Sequence, residues 1–204
     1  GLKTREKVWE VAKKINYIPN PAAMFLKNNK TLSIGILIPS LNEEFFTHAI
    51  TGVENVIEEK GYHSVIIQSR ETLERELKAI DTFLKMRIDG LIVSISAETN
   101  NFSHFKKLES FGIPIVFFDR VPSQAGFNKV ICNTIDGAAQ AVELLVEKGC
   151  KDIGILNGPK NLQASQDRLS GYIIGLKKNN IQIKESQIKN CDLTKEAAIN
   201  KTKE

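Results

Sequence analysis

The sequence predicts an α/β fold built on a doubly wound parallel sheet, and two observations support this prediction. Apolar runs such as residues 32–39 and 113–118 contain almost no polar side chain, as in parallel strands that are buried on both faces. Between such runs lie segments of ten or more residues with apolar positions at helical spacing. Strands that alternate with helices of this length are typical of parallel βα units.

The alternation can be followed from the first strand to residue 118. We expect strands and helices to alternate in the order strand 32–39, helix 44–60, strand 63–68, helix 73–86, strand 89–94, helix 102–111 and strand 113–118. Gly61 supplies a stop for the first of these helices. In the helix at 73–86, the expected buried stripe is Leu77, Ile80 and Leu84.

A second βα series is predicted after the irregular stretch at 121–128, which is rich in turn-forming residues. Its expected elements are strand 129–132, helix 135–148, strand 152–156, helix 163–178, a weaker strand at 187–191 and a helix that starts at Thr194.

The first 30 residues differ in charge from the rest of the chain. They contain seven basic and two acidic side chains, a net charge of +5, whereas the whole chain carries +4. From Thr4 they form an amphipathic helix pattern, for which Asn16 is a plausible left-handed C-cap. This concentration of positive charge suits contacts with DNA phosphates, and a solvated helix of an ordinary globular domain is the alternative.

A second, shorter helix is predicted directly after it. Asn20 is a good N-cap, and Pro21 occupies the first helical position, where its missing N–H has no cost. A helix ending near Leu26 is far shorter than the roughly 12–15 residues at which isolated helices become marginally stable in water. We therefore expect it to fold on contact with a partner, and its apolar tip suggests DNA.

These N-terminal residues resemble a known family. The run Thr4-Arg5-Glu6-Lys7-Val8, then Asn16-Tyr17-Ile18-Pro19-Asn20, Ala23, Leu26 and Ser33-Ile34-Gly35 is similar to the junction of DNA-binding head and regulatory core in LacI-type (LacI/GalR) bacterial transcriptional regulators. The resemblance continues through nearly the whole chain. It implies a two-lobed, periplasmic-binding-protein-like core of doubly wound parallel sheets, preceded by the last helix of a helix-turn-helix head and a hinge helix.

The resemblance also implies an organisation in three parts and a set of DNA contacts. Residues 1–30 are the end of the head plus the hinge, 31–133 the N-terminal lobe, and 134–204 a partial C-terminal lobe. Leu26 matches a leucine that wedges into the minor groove. The DNA-binding candidates are Thr4, Arg5, Tyr17, Asn20, Ala23 and Leu26. Many members have arginine after the matched alanine, and Met24 here puts one backbone contact in doubt.

By the same comparison, the chain starts just before the third helix of the head and stops within the second lobe. We therefore expect the helices that read the major groove, and the end of the core, to lie outside this sequence.

An effector site is predicted from the fold. Ligands of open α/β sheets bind outside the carboxyl ends of the strands, which directs attention to the loops after Pro39, Ser94, Phe118 and Leu156. By resemblance, Asp119 matches an acidic position that accepts hydrogen bonds from sugar hydroxyls, and Arg168 matches an arginine that clamps the effector. The other effector candidates are Asn42, Phe45 and the weaker Asn133.

Plainer interpretations of these residues stay open. Asp119 and Arg120 are neighbours and suit a simple ion pair at a strand end. Phe46 falls on the core stripe of its helix and is expected to be structural, and Asp136 is expected only to cap the following helix.

The resulting prediction is a homodimeric, DNA-binding repressor whose operator affinity is controlled by a small effector, a sugar or sugar derivative. A free-standing sugar-binding protein of the same fold is the alternative, and an enzyme on a doubly wound sheet is a third class. The sequence lacks G-x-G-x-x-G after the first strand, a phosphate loop and a G-x-S-x-G elbow, so we expect no catalytic residues and no cofactor.

Composition and residue spacing predict the cellular location of the protein and the roles of its cysteines and histidines. No apolar run approaches the roughly 18–20 residues that span a membrane, and no signal-peptide core is seen, so a cytoplasmic protein without membrane contact is expected. Three widely spaced cysteines and three histidines show no ligand spacing, so neither a disulfide framework nor a metal site is expected.

Overall fold

A computed structural model of the chain describes residues 1–18, 30–122, 124 and 126–203. Its strands are β1 (Ser33–Ile38), β2 (His63–Gln68), β3 (Gly90–Val93), β4 (Ile115–Phe118), β5 (Asn128–Val130), β6 (Ile155–Asn157) and β7 (Ile188–Asn190). The first five form one sheet in the order β2-β1-β3-β4-β5, and β6 pairs with β7 in a second sheet. Every one of these pairings is parallel.

Most of the helices fall between strands, as the alternation predicted, while one precedes the first strand and one follows the last. They are α1 (Leu2–Lys14), α2 (Glu44–Glu59), α3 (Leu73–Met86), α4 (Ser103–Ser110), α5 (Thr134–Glu147), α6 (Gln163–Lys178) and α7 (Lys195–Lys203), with a 3-10 turn at Glu185–Gln187. The predicted bounds of β2, α3 and α6 coincide with the observed ones. The predicted α/β class with parallel sheets is confirmed.

Helices cover both faces of the first sheet, as expected for strands without a polar face. Ile36 and Ile38 of β1 pack against Phe46 and Ile50 of α2. Leu37, which points to the opposite face, belongs to a larger cluster with side chains of α3 and α4. Both faces of the sheet are therefore apolar cores.

The predicted stripe of α3 was wrong in part. Ile80 is fully buried, but Leu77 is 42% exposed and Leu84 is only partly buried. The buried face instead carries Glu76, Ala79, Ile80 and Phe83. Apolar periodicity could not predict this shift, because the residue that completes the buried face is an acid held by hydrogen bonds.

The predicted place of β5 also changes. The sequence put this strand at the start of the second βα series, whereas it pairs with β4 as the edge strand of the first sheet. A connection of only nine residues separates the two strands. As a result, five parallel strands direct their carboxyl ends toward the same edge of the first sheet.

In the part of the chain after β5, which we call the second lobe, α5 and α6 pack unusually closely through two glycines. A Cβ on Gly171 would lie 2.1 Å from the Ile135 carbonyl oxygen, and one on Gly175 would lie 2.6 Å from the Val142 Cβ. The Tyr172 hydroxyl donates a hydrogen bond of 2.7 Å to the Ile153 carbonyl in the adjoining core. Small residues four apart in α6 therefore fix the distance between the two helices.

The N-terminal helix α1 buries none of its own side chains against the described residues. Its end matches the prediction, since Asn16 is left-handed with a φ of 51°. The Tyr17 N–H bonds to the Ala12 carbonyl at 2.8 Å and the Asn16 N–H to the Lys13 carbonyl at 3.2 Å, which makes a Schellman ending. In the described part of the chain, no helix combines the length and apolar character needed to cross a membrane.

Candidate functional site

The carboxyl edge of the first sheet is where the two lobes meet. Because β1 to β5 are parallel, the loops that follow them gather at this edge. The loop after β6 of the second lobe approaches the same place, where the Asn161 side-chain amide donates to the Ala97 carbonyl oxygen at 2.8 Å. The loops that could enclose a ligand are therefore contributed by both sheets.

Arg120, which follows β4, is the centre of this edge. Its side chain is only 8% exposed, and its Nη1 lies 2.6 and 2.7 Å from the two carboxylate oxygens of Glu71. Carboxylate oxygens of Glu43 and Asp119 each lie 3.9 Å from other guanidinium nitrogens. The guanidinium carbon also lies 5.9 Å from the centre of the Phe46 ring. A buried cation thus faces three carboxylates and an aromatic ring.

Glu71 is held in place by its backbone and by a second partner. Arg70 and Glu71 both have left-handed backbones, with φ of 49° and 64°, which is uncommon for two successive residues other than glycine. The Arg70 N–H donates to the Pro39 carbonyl at 2.9 Å, and the Ala97 N–H donates to the Glu71 carboxylate at 3.0 Å. This turn after β2 places the carboxylate between Arg120 and the loop after β3.

Asp119 has a left-handed backbone with a φ of 56°, which aspartate tolerates better than most residues. Its side chain is 25% exposed. Burial raises the pKa of the Asp119 carboxyl, while the positive charges of Arg120 and then Arg168 oppose the rise and Glu71 adds to it. Arg168 lies exposed on α6 of the second lobe, and its positive charge acts on the Asp119 carboxyl across the lobes.

The Asp119–Arg120 ion pair, the plainer interpretation of these two residues, is not the main contact of Arg120. The guanidinium Nε is 3.9 Å from the Asp119 carboxylate, whereas Nη1 is within hydrogen-bond distance of Glu71. Arg120 therefore has Glu71 as its principal partner.

The loop after β1 presents the other predicted residues. Asn42 and Phe45 are exposed, and the Phe45 ring stands edge-on to Phe46 at 5.3 Å. Phe46 is fully buried, which confirms its structural role. Burial also raises the pKa of Glu43 in this loop, while Arg120 opposes the rise. The exposed Phe45 ring is available to a ligand, and Phe46 is not.

Asn133, a weaker effector candidate from the sequence, caps a helix in the structure. It is the N-cap of α5, where its side-chain oxygen accepts from the Asp136 N–H at 3.4 Å and its amide donates to the Asp136 carboxylate at 2.6 Å. Asp136 was expected to be the cap, but Asn133 has that role and Asp136 supports it.

Two small cavities lie where the lobes meet. One, of about 50 Å³, is lined by residues of both lobes including Thr99, Arg120, Asn161 and Gln166. The other, of about 40 Å³, is lined by residues including Asp119, Cys132 and Asp167. Ligand pockets commonly measure roughly 300–1,000 Å³. In this arrangement a sugar-sized ligand requires the lobes to separate.

A larger cavity, of about 750 Å³, lies at the opposite, amino-terminal edge of the first sheet. Its lining includes Lys30, Tyr62, Asp89 and Ile113, each of which precedes a strand. It is broad, and the Asp89 carboxylate is already used by the N–H groups of Thr31 and Leu32. We place the candidate site at the carboxyl edge, because charged groups from separate strands converge there.

The DNA-binding candidates are only partly within the described residues. Thr4 and Arg5 lie exposed on α1, and Tyr17 is 62% exposed just after it. Asn20, Ala23 and Leu26 lie outside the described residues. Across residues 1–18, 30–122, 124 and 126–203, no group of three or more His, Cys, Asp or Glu side chains is arranged to hold a metal ion.

Sequence reasoning missed Glu71 and Asn161, and underestimated Arg120. A usable signal existed for Glu71, since the rule that ligands lie beyond the carboxyl ends of strands applies to the loop after β2 as well. Asn161 lies in the loop after Leu156 that this rule had already selected, but nothing singles it out within that loop, because its contact with Ala97 spans 64 residues and two lobes.

Comparison with known proteins agrees with this architecture. Residues 34–204 match the family described as "Periplasmic binding protein domain". The HTH-type transcriptional repressor PurR of Proteus mirabilis is 32% identical over 95% of this chain and 57% of its own length. The chain thus spans little more than half the length of such relatives.

The solved structures that are similar to this chain include two with more than 25% sequence identity. The lac repressor dimer bound to operator and the anti-inducer ONPF is 27% identical with a TM-score of 0.77, over 95% of this chain and 58% of that one. A candidate ribose operon repressor from Burkholderia thailandensis is 26% identical with a TM-score of 0.73, over 78% of this chain and 60% of that one. The chain belongs to the periplasmic-binding-protein domain family, and its relatives there are LacI-type transcriptional repressors.

Proposed function

We propose that this chain is the hinge and much of the regulatory core of a homodimeric, operator-binding repressor whose DNA affinity is set by a small effector held between the lobes. The observation that carries the proposal is a cavity at the carboxyl edge that is lined by Asp119 of the first lobe and by Asp167 of α6 in the second, and we place the effector between Asp119 and Arg168, the next residue on α6. One ligand that contacts both residues would link the positions of the two lobes.

The chemistry of this edge favours a neutral, hydroxyl-rich effector. Glu43, Glu71 and Asp119 supply acceptors for hydroxyl groups, and Arg168 supplies a planar set of donors. Arg120 is already paired with Glu71 and is not free to neutralise an anionic ligand. The exposed Phe45 ring adds an apolar surface for a sugar ring. A carbohydrate agrees with these features. The similar protein from Burkholderia thailandensis is named as a repressor of a ribose operon.

DNA binding is proposed through the N-terminal part of the chain. Residues 1–30 concentrate a net charge of +5, and the similar lac repressor is described as a dimer bound to operator. Leu26 and Ala23 would enter the minor groove and residues beyond this chain the major groove. An operator-binding protein would act in the cytoplasm. Coupling requires only that DNA and effector each bind one arrangement of the lobes more tightly than the other.

Calorimetry on the intact protein tests the effector site. The ligand panel is D-ribose, cellobiose, fructose 1-phosphate and the nucleobase adenine, and we expect a neutral sugar to bind. Asp119→Ala and Arg168→Ala should each weaken that binding more than about tenfold, because a hydrogen bond to a charged group contributes roughly 1.5–3 kcal/mol. Asp152→Ala, which removes an exposed acid paired with Lys184, is the matched control and should leave affinity unchanged. Unchanged affinity in both site variants would refute the assignment.

A free-standing sugar-binding protein is the second candidate, favoured by the description of the family that residues 34–204 match. The two functions differ in one measurable property. For a repressor, the bound sugar must change the affinity of the intact protein for its operator. Sugar binding without any specific DNA binding would favour the second candidate.

A further inference from the structure

A buried acid lies behind the candidate site and has no part in the proposed function as described so far. Glu76 of α3 is fully buried, in a face otherwise formed by Ala79, Ile80 and Phe83. Acidic side chains are almost never fully buried unless they are paired. An apolar residue would fill this position more simply, so packing alone does not explain a carboxylate here.

The Glu76 carboxylate accepts three hydrogen bonds. Its Oε1 lies 2.8 Å from Nε2 of His104 and 2.7 Å from the Thr99 hydroxyl, and its Oε2 accepts from the Ser96 N–H at 2.9 Å. The Ser96 and Thr99 hydroxyls are 2.8 Å apart. His104 and Thr99 are 9% and 4% exposed, and Ser96 is fully buried. The acid is therefore satisfied, and two of its three partners belong to the loop after β3.

That loop, residues 94–102, connects the parts of the candidate site. The Ala97 N–H donates to the Glu71 carboxylate that pairs with Arg120, and the Ala97 carbonyl accepts from Asn161 of the second lobe. The Ile95 N–H also donates to the Arg120 carbonyl at 3.2 Å. Ala97 thus lies between the Arg120–Glu71 pair and the second lobe, and it directly follows Ser96, whose N–H donates to Glu76.

We propose that Glu76 and His104 are positioning residues for the site between the lobes. By fixing Ser96 and Thr99, they set where Ala97 presents its N–H to Glu71 and its carbonyl to Asn161. His104, on α4, orients the carboxylate from the far side. This inference rests on the proposed function only where it concerns ligand affinity, because the effect on the loop can be measured without a ligand.

The substitution Glu76→Leu, in the intact protein, tests the proposal. Leucine suits the apolar face but accepts no hydrogen bond. We expect hydrogen exchange of the Ser96 and Ala97 amides to rise about tenfold or more, since loss of a hydrogen bond to a charged group favours local opening. Affinity for the neutral sugar found by calorimetry should fall by a similar factor, while the circular dichroism spectrum stays that of a folded protein.

Two further variants distinguish positioning from general stability. Glu76→Gln keeps an acceptor for the Ser96 N–H and should restore most of the amide protection and the sugar affinity. Glu74→Gln, on the same helix, removes one partner of the exposed Glu74–Lys78 pair and should change neither property. If Glu76→Leu does not fold, Thr99→Val removes one hydroxyl donor and should show the same effects to a smaller degree.

The outcomes separate the two proposals. The positioning role would be overturned if amide protection and sugar affinity in Glu76→Leu stayed within twofold of the parent values. If Glu76→Leu fails to fold, the same result in a folded Thr99→Val would overturn it. Equal losses in Glu76→Leu and Glu76→Gln would also overturn it, because the acceptor would then be irrelevant. Faster exchange at Ser96 and Ala97 in a protein that binds no member of the panel would support the positioning of the loop and count against the proposed effector.

Discussion

Nη1 of Arg120 lies 2.6 and 2.7 Å from the two carboxylate oxygens of Glu71, a residue 49 positions earlier in the chain. The pair joins the end of β4 to the turn after β2, which are not neighbouring strands in the sheet. Since Arg120 is 8% exposed and Glu71 is about one-third exposed, water screens this contact only in part.

Arg120→Met should destabilise the protein. It leaves the Glu71 carboxylate without its cation, and we expect the free energy of unfolding to fall by about 1–3 kcal/mol in urea denaturation. Lys178→Met removes the cation of a pair with Glu143 that is much more exposed, and should change the free energy by no more than about 0.5 kcal/mol. Equal effects in the two variants would contradict the central role of Arg120.

Asp119→Asn should stabilise the unliganded protein at pH 7, and the effect should depend on pH. The pKa of Asp119 is higher in the folded protein than in the unfolded chain, where it is 3.8. The free energy of unfolding therefore falls as the pH rises from 3.8 through the folded-state pKa. Asparagine carries no such charge and tolerates the same left-handed backbone. We expect a higher melting temperature than the parent at pH 7, and a difference that shrinks below this window.

Asp152→Asn is the control of opposite sign. Hydrogen bonding to Lys184 lowers the pKa of Asp152, so its contribution to stability is present above pH 3.8 and is lost as pH falls through the folded value. This variant should melt slightly below the parent at pH 7, and the difference should vanish in acid. The same sign of change in both variants would contradict the assignment of the raised pKa to Asp119.

Gly171→Ala should destabilise the second lobe, because a Cβ at this position meets the Ile135 carbonyl at 2.1 Å. Forcing the two helices apart is expected to cost about 1–3 kcal/mol of unfolding free energy. Gly137→Ala, in α5, places a Cβ where nothing lies within 4 Å, and should instead stabilise by roughly 0.5–1 kcal/mol through helix propensity. Thermal melts of the pair should therefore shift in opposite directions.

Leu26→Ala tests the hinge, with the intact protein and its operator. Loss of a wedge between base steps should lower specific affinity by roughly 1–3 kcal/mol in fluorescence anisotropy. The melting temperature should not change, since the proposed contact is with DNA. Unchanged affinity with reduced thermal stability would instead identify Leu26 as a core residue.

Local sequence patterns were sufficient to predict the class of fold, and they placed most element ends within two residues of the observed ones. Apolar runs alternating with helical periodicity are local properties, and the bounds of β2, α3 and α6 followed from them directly. The left-handed Asn16 was also predictable, because a C-cap depends on the few residues around it. Asp119 became a candidate through its place after a strand together with a family resemblance, and its role in binding stays a prediction.

Tertiary structure alone decided which polar groups pair. Glu71 with Arg120, Glu76 with His104 and Asn161 with Ala97 are contacts across 28 to 64 residues. Hydrophobic periodicity predicts which positions are apolar, and so it passed over Glu76 in favour of Leu77. A buried carboxylate is tolerated only where specific donors converge on it, and that convergence depends on how the loops at the carboxyl edge of the sheet are packed together.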